Sequence, residues 1–157
     1  MDFGKDKEDG AEHTYELPWD TRFLDMAELV SSWSKDPSTK VGAVIVDQER
    51  RVVSLGYNGF PKGVLDDDRL NKRETKYKII VHAECNALLF AGRPLTQCSM
   101  YTHPFMPCPT CAGLIIQAGI TRVVSCESSV CRWQEEFETS RKMFEEAGVE
   151  LIEYDLE

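Results

Sequence analysis

Apolar residues recur along this chain in two rhythms. From Asp20 onward, Phe23, Met26, Ala27 and Val30 fall at the i, i+3, i+4, i+7 spacing of one buried helix face. That helix should stop before Asp36-Pro37, because a residue preceding proline avoids the helical region. Val41 to Val46 and Val52 to Tyr57 are β-rich runs separated by a polar turn at Gln48 to Arg50, which predicts a hairpin. Gly59 to Arg73, with Gly, Pro and the run Asp66-Asp67-Asp68, reads as a loop. The pattern then predicts a helix from His82 to about Phe90, a strand over Ser99 to Thr102, a helix over Cys108 to Ala118 and a strand over Arg122 to Ser125. Trp133, Phe137, Met143 and Phe144 predict a helix over Arg132 to Ala147, closed by Gly148, and Val149 to Tyr154 is a final strand. The order is α-β-β-α-β-α-β-α-β. Its alternating second half predicts parallel strands with helical crossovers, hence a sheet covered on both faces.

Length and composition narrow this to one domain. A chain of 157 residues, 42% hydrophobic, can bury a single ordinary core. Residues 1–18 lack hydrophobic periodicity and are expected to form an acidic, flexible tail ahead of one domain over 19–157. The segment Met1 to Gly10 is acidic and polar, unlike a signal or transit peptide, and no run of eighteen apolar residues exists. The expectation is a soluble, cytoplasmic protein without a membrane partner. The net charge of −9 is uneven: residues 1–20 and 134–157 carry the acidic excess, and 21–133 is mildly basic. Such a balance disfavours coating of long nucleic acid and suits one small phosphorylated ligand. Solvated acidic ends around an ordinary middle would produce the same pattern.

Two short segments carry candidate chemistry, each at an expected helix start: His82-Ala83-Glu84 and Pro107-Cys108-Pro109-Thr110-Cys111. Cysteines at i and i+3 point the same way, and thiolates at a helix N-terminus are favoured by the dipole. Pro109 suits a first turn, where its missing N–H is not needed. With His82 as third donor, the set leaves the fourth tetrahedral position of zinc open, the mark of a catalytic rather than a structural site. Glu84, two residues past His82, can stand beside that position as a proton shuttle, which hydrolytic removal of an amino group requires. Taken singly, the Cys-x-x-Cys pair also suits half of a structural zinc site or a redox dithiol, although a redox reading leaves Glu84 without work. Jointly, H-x-E followed by P-C-x-x-C is the signature of zinc deaminases.

Over roughly residues 20–150 the chain resembles the cytidine deaminase superfamily, and within it the deoxycytidylate (dCMP) deaminases. The resemblance rests on Ser34-Lys35-Asp36-Pro37-Ser38-Thr39-Lys40-Val41-Gly42-Ala43, on Gly56-Tyr57-Asn58-Gly59-Phe60-Pro61 and on Thr75-Lys76-Tyr77. It continues through His82 to Ala87, Met100-Tyr101, Pro107 to Cys111 and Ile115-Ile116-Gln117-Ala118-Gly119-Ile120. It implies a three-layer α/β/α cytidine-deaminase-like fold with a central mixed five-stranded sheet. It also implies one catalytic Zn²⁺ held by His82, Cys108 and Cys111, with Glu84 moving protons. Substrate contacts are expected from Asn58, Ala83, Tyr101 and His103, although Asn58 also suits a plain turn residue before Gly59. The loop Gly56, Tyr57, Asn58, Gly59 is associated in the family with dCTP and dTTP as effectors, accompanied by Mg²⁺. Dimers or hexamers of like chains are expected.

The chain departs from the family pattern in three places. The segment between Gly63 and His82 is short and has no Cys/His cluster, so the second zinc of some members is not expected. Thr102 to Met106, ahead of Pro107, looks one residue longer than usual, and Cys85 stands where the family commonly has a large apolar residue. The expected reaction is hydrolysis of dCMP to dUMP and ammonia. The alternatives are another cytosine nucleotide (CMP or a 5-substituted dCMP) and a non-catalytic zinc protein that senses nucleotides. Lys35, Lys40, Lys62, Arg69, Lys72, Arg73, Lys76 and Lys78 flank the motifs as candidate phosphate ligands. Cys85, Cys98, Cys126 and Cys131 are expected to be small apolar filler.

Overall fold

The computed structural model describes residues 17–128 and 131–155. Of the expected tail, residues 1–16 lie outside the described residues, while Leu17 and Pro18 open the first helix, α1 (Leu17–Ser31), three residues earlier than its apolar spacing suggests. A proline is tolerated there because first-turn N–H groups have no intrahelical partner. The helix ends where Ser31 and Ser32 donate their hydroxyls to the Glu28 and Leu29 carbonyls, both at 2.6 Å, well ahead of Pro37.

The hairpin forms as β1 (Gly42–Val46) and β2 (Val52–Tyr57), turning through Arg50 with φ 64°. Three further strands follow: β3 (Ser99–His103), β4 (Arg122–Cys126) and β5 (Glu150–Tyr154). They make one sheet in the order β2-β1-β3-β4-β5. β1 is antiparallel to β2 and to β3, whereas β3, β4 and β5 run parallel, so the sheet is mixed as expected. Because side chains alternate along a strand, the inner strands feed two cores. Val44, Val46, Tyr101, Val124 and Ile152 meet Phe23, Leu24, Ala27 and Val30 of α1. Ala43, Ile45, Met100 and Val123 face the other helical layer. That layer holds α3 (Ala83–Leu89), α4 (Pro109–Gln117) and α5 (Gln134–Ala147). The three-layer arrangement is the one the alternating pattern predicts.

One element was not anticipated. Past a short 3-10 turn over Asp68–Asn71, capped by the Asp67 carboxylate, the chain forms α2 (Arg73–Ile79). Its sequence, RETKYKI, is too short and too polar to show a helical apolar stripe, and its one buried residue is a lysine, Lys76.

Two glycines set the spacing of the layers. A Cβ at Gly56 would come within 2.5 Å of the Ala83 carbonyl and the Ala87 N–H, so α3 lies directly on β2 at this point. Gly42 plays the same part where β1 passes the Ala27 carbonyl and Ser31 of α1.

A buried carboxylate ties α1 to three strands. Asp20, fully buried, accepts both guanidinium arms of Arg122 at 2.8 and 2.7 Å, the Tyr101 hydroxyl at 2.7 Å and the Tyr154 hydroxyl at 2.6 Å. Burial and the adjacent carboxylate push both phenols above their usual range. Removing one partner of such a set leaves the others buried and unpaired, a loss of about 3–5 kcal/mol. Asp20→Ala is therefore expected to lower unfolding free energy by about that amount in urea titration, and a loss below about 1 kcal/mol would show the network to be ornamental.

Candidate active site

Two helix starts converge on one point. His82 occupies the cap position ahead of α3 and Cys108 the cap position ahead of α4, both with extended backbone (ψ 154° and 167°), and Pro109 opens α4. Neither side chain makes the usual capping hydrogen bond to its helix, and Cys108 instead faces Cys111 and His82. Cys111 stands in the first turn of α4, one turn beyond Cys108, as its spacing requires.

The donors meet. His82 Nδ1 lies 3.3 Å from Cys111 Sγ and 3.6 Å from Cys108 Sγ, and the three donor atoms all fall within 4.8 Å of one another. A tetrahedral zinc with bonds of about 2.3 Å to sulfur and 2.0–2.1 Å to nitrogen would hold its ligands roughly 3.5–3.8 Å apart. The observed set fits a zinc ion with little movement. Among the described residues no other His/Cys/Asp/Glu group gathers in this way. Hydrogen bonds from Cys111 and His82 pull the Cys108 thiol down to about 4, and the bond to Cys108 lifts His82 to about 9. Its bond to Cys108 raises the Cys111 thiol. A divalent ion would take the place of the protons in those hydrogen bonds.

Glu84 is 4% exposed and lies in the same cavity. Burial pushes its carboxyl up to about 6, against opposition from a backbone hydrogen bond and from His82. A carboxyl poised there can both hold and release a proton near neutral pH.

The cavity has a volume of about 280 Å³, near the lower end of the range for small-ligand sites. Asn58 and Ala83 line it, beside His82, Glu84 and Cys108. Asn58 is firmly held: its Oδ1 accepts the Val41 N–H at 2.9 Å and its Nδ2 donates to the Thr39 carbonyl at 2.9 Å. Tyr101 and His103 do not line the cavity. Strand alternation turns both towards α1, Tyr101 onto Asp20 and His103 into the field of Glu28. From the elongated segment it is Phe105 and Met106 that reach the cavity, after a cis His103-Pro104 bond. Of the glycine loop, Gly56 and Tyr57 belong to β2, and Gly59 forms a bridge with Val81.

Sequence reasoning missed several wall residues. Asp36 and Lys76 form an ion pair at 2.9 Å along one side, and Trp133 and Phe137 stack around Phe105 at 4.8 and 5.5 Å along another. Lys76 stands in the sequence only within Thr75-Lys76-Tyr77 and among eight basic residues flanking the motifs, with no sign of its burial. Cys85 is half-buried, its Sγ 3.7 Å from Cys111 Sγ and outside the three-donor group. Cys98 and Cys126 pack in the two cores on opposite faces of the sheet, as filler should.

Comparison with known proteins agrees with this geometry. The family model described as the cytidine and deoxycytidylate deaminase zinc-binding region matches residues 17–127. An uncharacterized deaminase encoded in the luxG 3′ region of Aliivibrio fischeri is 51% identical over 136 residues, covering 85% of this chain and 91% of that one. The deoxycytidylate deaminase of Mus musculus is 43% identical over 140 residues, covering 85% and 78%. The crystal structure of dCMP deaminase from the cyanophage S-TIM5 in complex with dCMP and dUMP superposes with a TM-score of 0.68 at 25% identity, covering 85% of this chain and 95% of that one.

The donor geometry makes a direct prediction. Purified protein should carry about one zinc per chain, and Cys108→Ser and Cys111→Ser should each lose most of it by atomic absorption. Cys98→Ser, in the core, should keep it. Unaltered zinc content in both ligand variants would contradict the set.

Proposed function

The chain belongs to the cytidine and deoxycytidylate deaminase family of hydrolytic enzymes, and from that premise we propose that it converts dCMP and water to dUMP and ammonia. The observation that carries the reading is a buried carboxylate, Glu84, sharing one cavity with His82 and Cys108, whose donor atoms gather with that of Cys111. The relative solved with dCMP and dUMP supports the choice of substrate.

His82, Cys108 and Cys111 would hold Zn²⁺, which when bound supplies the Lewis acidity that makes water a nucleophile near neutral pH. The rest falls to this chain's own groups. Glu84 takes one proton from the attacking water and delivers it to the ring N3; it then takes the remaining proton of the same oxygen, as the C4 carbonyl forms, and passes it to the amine as the C4–N bond breaks. Its environment suits that double duty, because burial favours the protonated form while His82 and the backbone favour the ionised one. The backbone N–H groups of Ala83 and Cys108, at the starts of α3 and α4, can steady the new oxygen. Phe105, Phe137 and Trp133 give the base an apolar, water-poor wall. Wall contacts of Phe105 and Met106 also support a second reading, in which a 5-substituted dCMP or CMP is preferred.

Regulation by dCTP and dTTP, with Mg²⁺, and assembly of like chains complete the reading. Tyr57 exposes its ring at the end of β2 and Gly59 has open space beside it, which supports a ligand contact there. Trp33, packed on Tyr57 at 6.1 Å, and Leu29 add exposed apolar surface near the same edge strand, which supports self-association. Cys85, Cys98, Cys108, Cys111 and Cys126 are free thiols, which suits a reducing compartment such as the cytoplasm, and no helix of the described residues is long and apolar enough to cross a membrane.

Two measurements test this. Glu84→Gln should retain zinc and lose about 10²-fold to 10⁴-fold in turnover of dCMP, scored as ammonia release; full activity would remove the proton-shuttle role. In a panel of dCMP, CMP, 5-methyl-dCMP and cytidine, dCMP should be the best substrate and should respond to added dCTP or dTTP. Activity on cytidine but not on dCMP would overturn the substrate, and zinc-loaded protein inert towards every base would favour a sensing role.

A further inference from the structure

The Asp36 carboxylate is satisfied on one side only. Its Oδ1 accepts four donors: the Ser38 N–H at 2.9 Å, the Ser38 hydroxyl at 3.0 Å, the Thr39 N–H at 3.3 Å and the Lys76 ammonium at 2.9 Å. Its Oδ2 has a single long partner, Asn58 Nδ2 at 3.4 Å. The two side chains of the pair are 4% and 5% exposed, and both residues line the cavity that contains His82 and Glu84. Burial works against the Asp36 charge, but the bonds from Lys76 and the Ser38-Thr39 turn hold its carboxyl below the usual range. An ionised carboxylate is purely an acceptor, and buried acceptors ordinarily find donors. Oδ2 is thus an acceptor in the cavity wall with capacity left over.

On a cytosine nucleotide the choice of donor is narrow. The exocyclic amine belongs beside Glu84, where it departs. A phosphate dianion offers only acceptors and would be repelled. The sugar hydroxyl remains, and a deoxynucleotide has just one, at the 3′ position. We infer that Asp36, clamped by Lys76, is a substrate-binding residue whose Oδ2 accepts the 3′-hydroxyl of the nucleotide, with Asn58 beside it. This inference rests on the deaminase reading for the ligand's class. It gives α2 a purpose: the helix brings Lys76 to the cavity wall, neutralises Asp36 and fixes which oxygen is free. Lys76 is a positioning residue, since Ser38 and Asp36 already take two of its donors, the hydroxyl of Ser38 at 2.6 Å.

The test compares two ligands that differ at the sugar. Calorimetry on zinc-quantified protein measures dUMP against 2′,3′-dideoxy-UMP, so the answer does not depend on turnover. The parent should bind dUMP about tenfold or more tightly, the usual worth of a hydrogen bond to a charged acceptor. In Asp36→Asn the amide oxygen should turn to Lys76 and the turn N–H groups, leaving a neutral NH₂ donor where the charged acceptor Oδ2 stood, and the ratio should fall severalfold. Lys76→Met should also shrink the ratio, with zinc content retained. A merely structural pair would weaken both ligands equally and leave the ratio intact, which would overturn the inference. So would a parent that binds both equally or neither. If Lys76→Met instead erased the preference for dUMP over deoxyuridine and kept the hydroxyl ratio, Lys76 would be a phosphate ligand and the clamp would be refuted. Ammonia release from dCMP is assayed separately: a parent inert towards dCMP but selective for the hydroxyl would sink the substrate assignment and leave this inference standing.

Discussion

Everything at the candidate active site depends on two helices beginning within reach of one point. Three donor atoms from separate parts of the chain cannot gather within a few ångströms unless the backbone delivers them there, because a flexible approach would forfeit conformational entropy at each residue. Here the delivery is rigid. Gly56 lets α3 lie on β2 with no side chain between them, and Ala83 and Ala87 keep the contact thin. Ala112 and Ile115 seat α4 on the same face of the sheet, among Met100 and Val123. His82 and Cys111 meet at 3.3 Å because two small-residue surfaces fix where each helix starts. Glu84 inherits its place and its burial from the same first turn of α3.

The parts of this arrangement that follow simple periodicities were readable before any coordinates. β-rich runs separated by a polar turn announced β1 and β2, and period 3.6 announced α1 and α5. The donor set was readable for a different reason: metal chemistry demands particular atoms at particular spacings, and H-x-E with P-C-x-x-C satisfies that demand within short stretches. What could not be read was whatever depends on contacts between distant segments. Lys76 gives no sign in sequence that it will be buried, because a lysine in a polar heptapeptide is ordinarily solvated. Its partner Asp36 lies 40 residues away. Tyr101 and His103 illustrate a subtler difficulty. Their segment does border the cavity, but strand alternation turns these two residues away, and it is Phe105 and Met106, in the loop past the end of β3, that reach it.

The two faces of the sheet use opposite chemistry for cohesion. Between the sheet and α1, a saturated polar knot centred on Asp20 binds Arg122, Tyr101 and Tyr154, with every carboxylate oxygen doubly engaged. On the catalytic face, the comparable carboxylate, Asp36, is lopsided. A fully satisfied network rigidifies, whereas an under-satisfied one is a place where a visitor can bind. The same residue type thus marks the anchor in one layer and the receptive wall in the other.

β3 is where these layers are kept apart. Tyr101 contributes to the anchor, and its neighbour Met100 to the packing under the helices that carry the donors. Odd and even positions of a single strand therefore answer to different masters. A change at an even position is felt first by the packing beneath the donor-bearing helices, and a change at an odd position by the grip on the outer helix, so one strand relays disturbance to two separate layers.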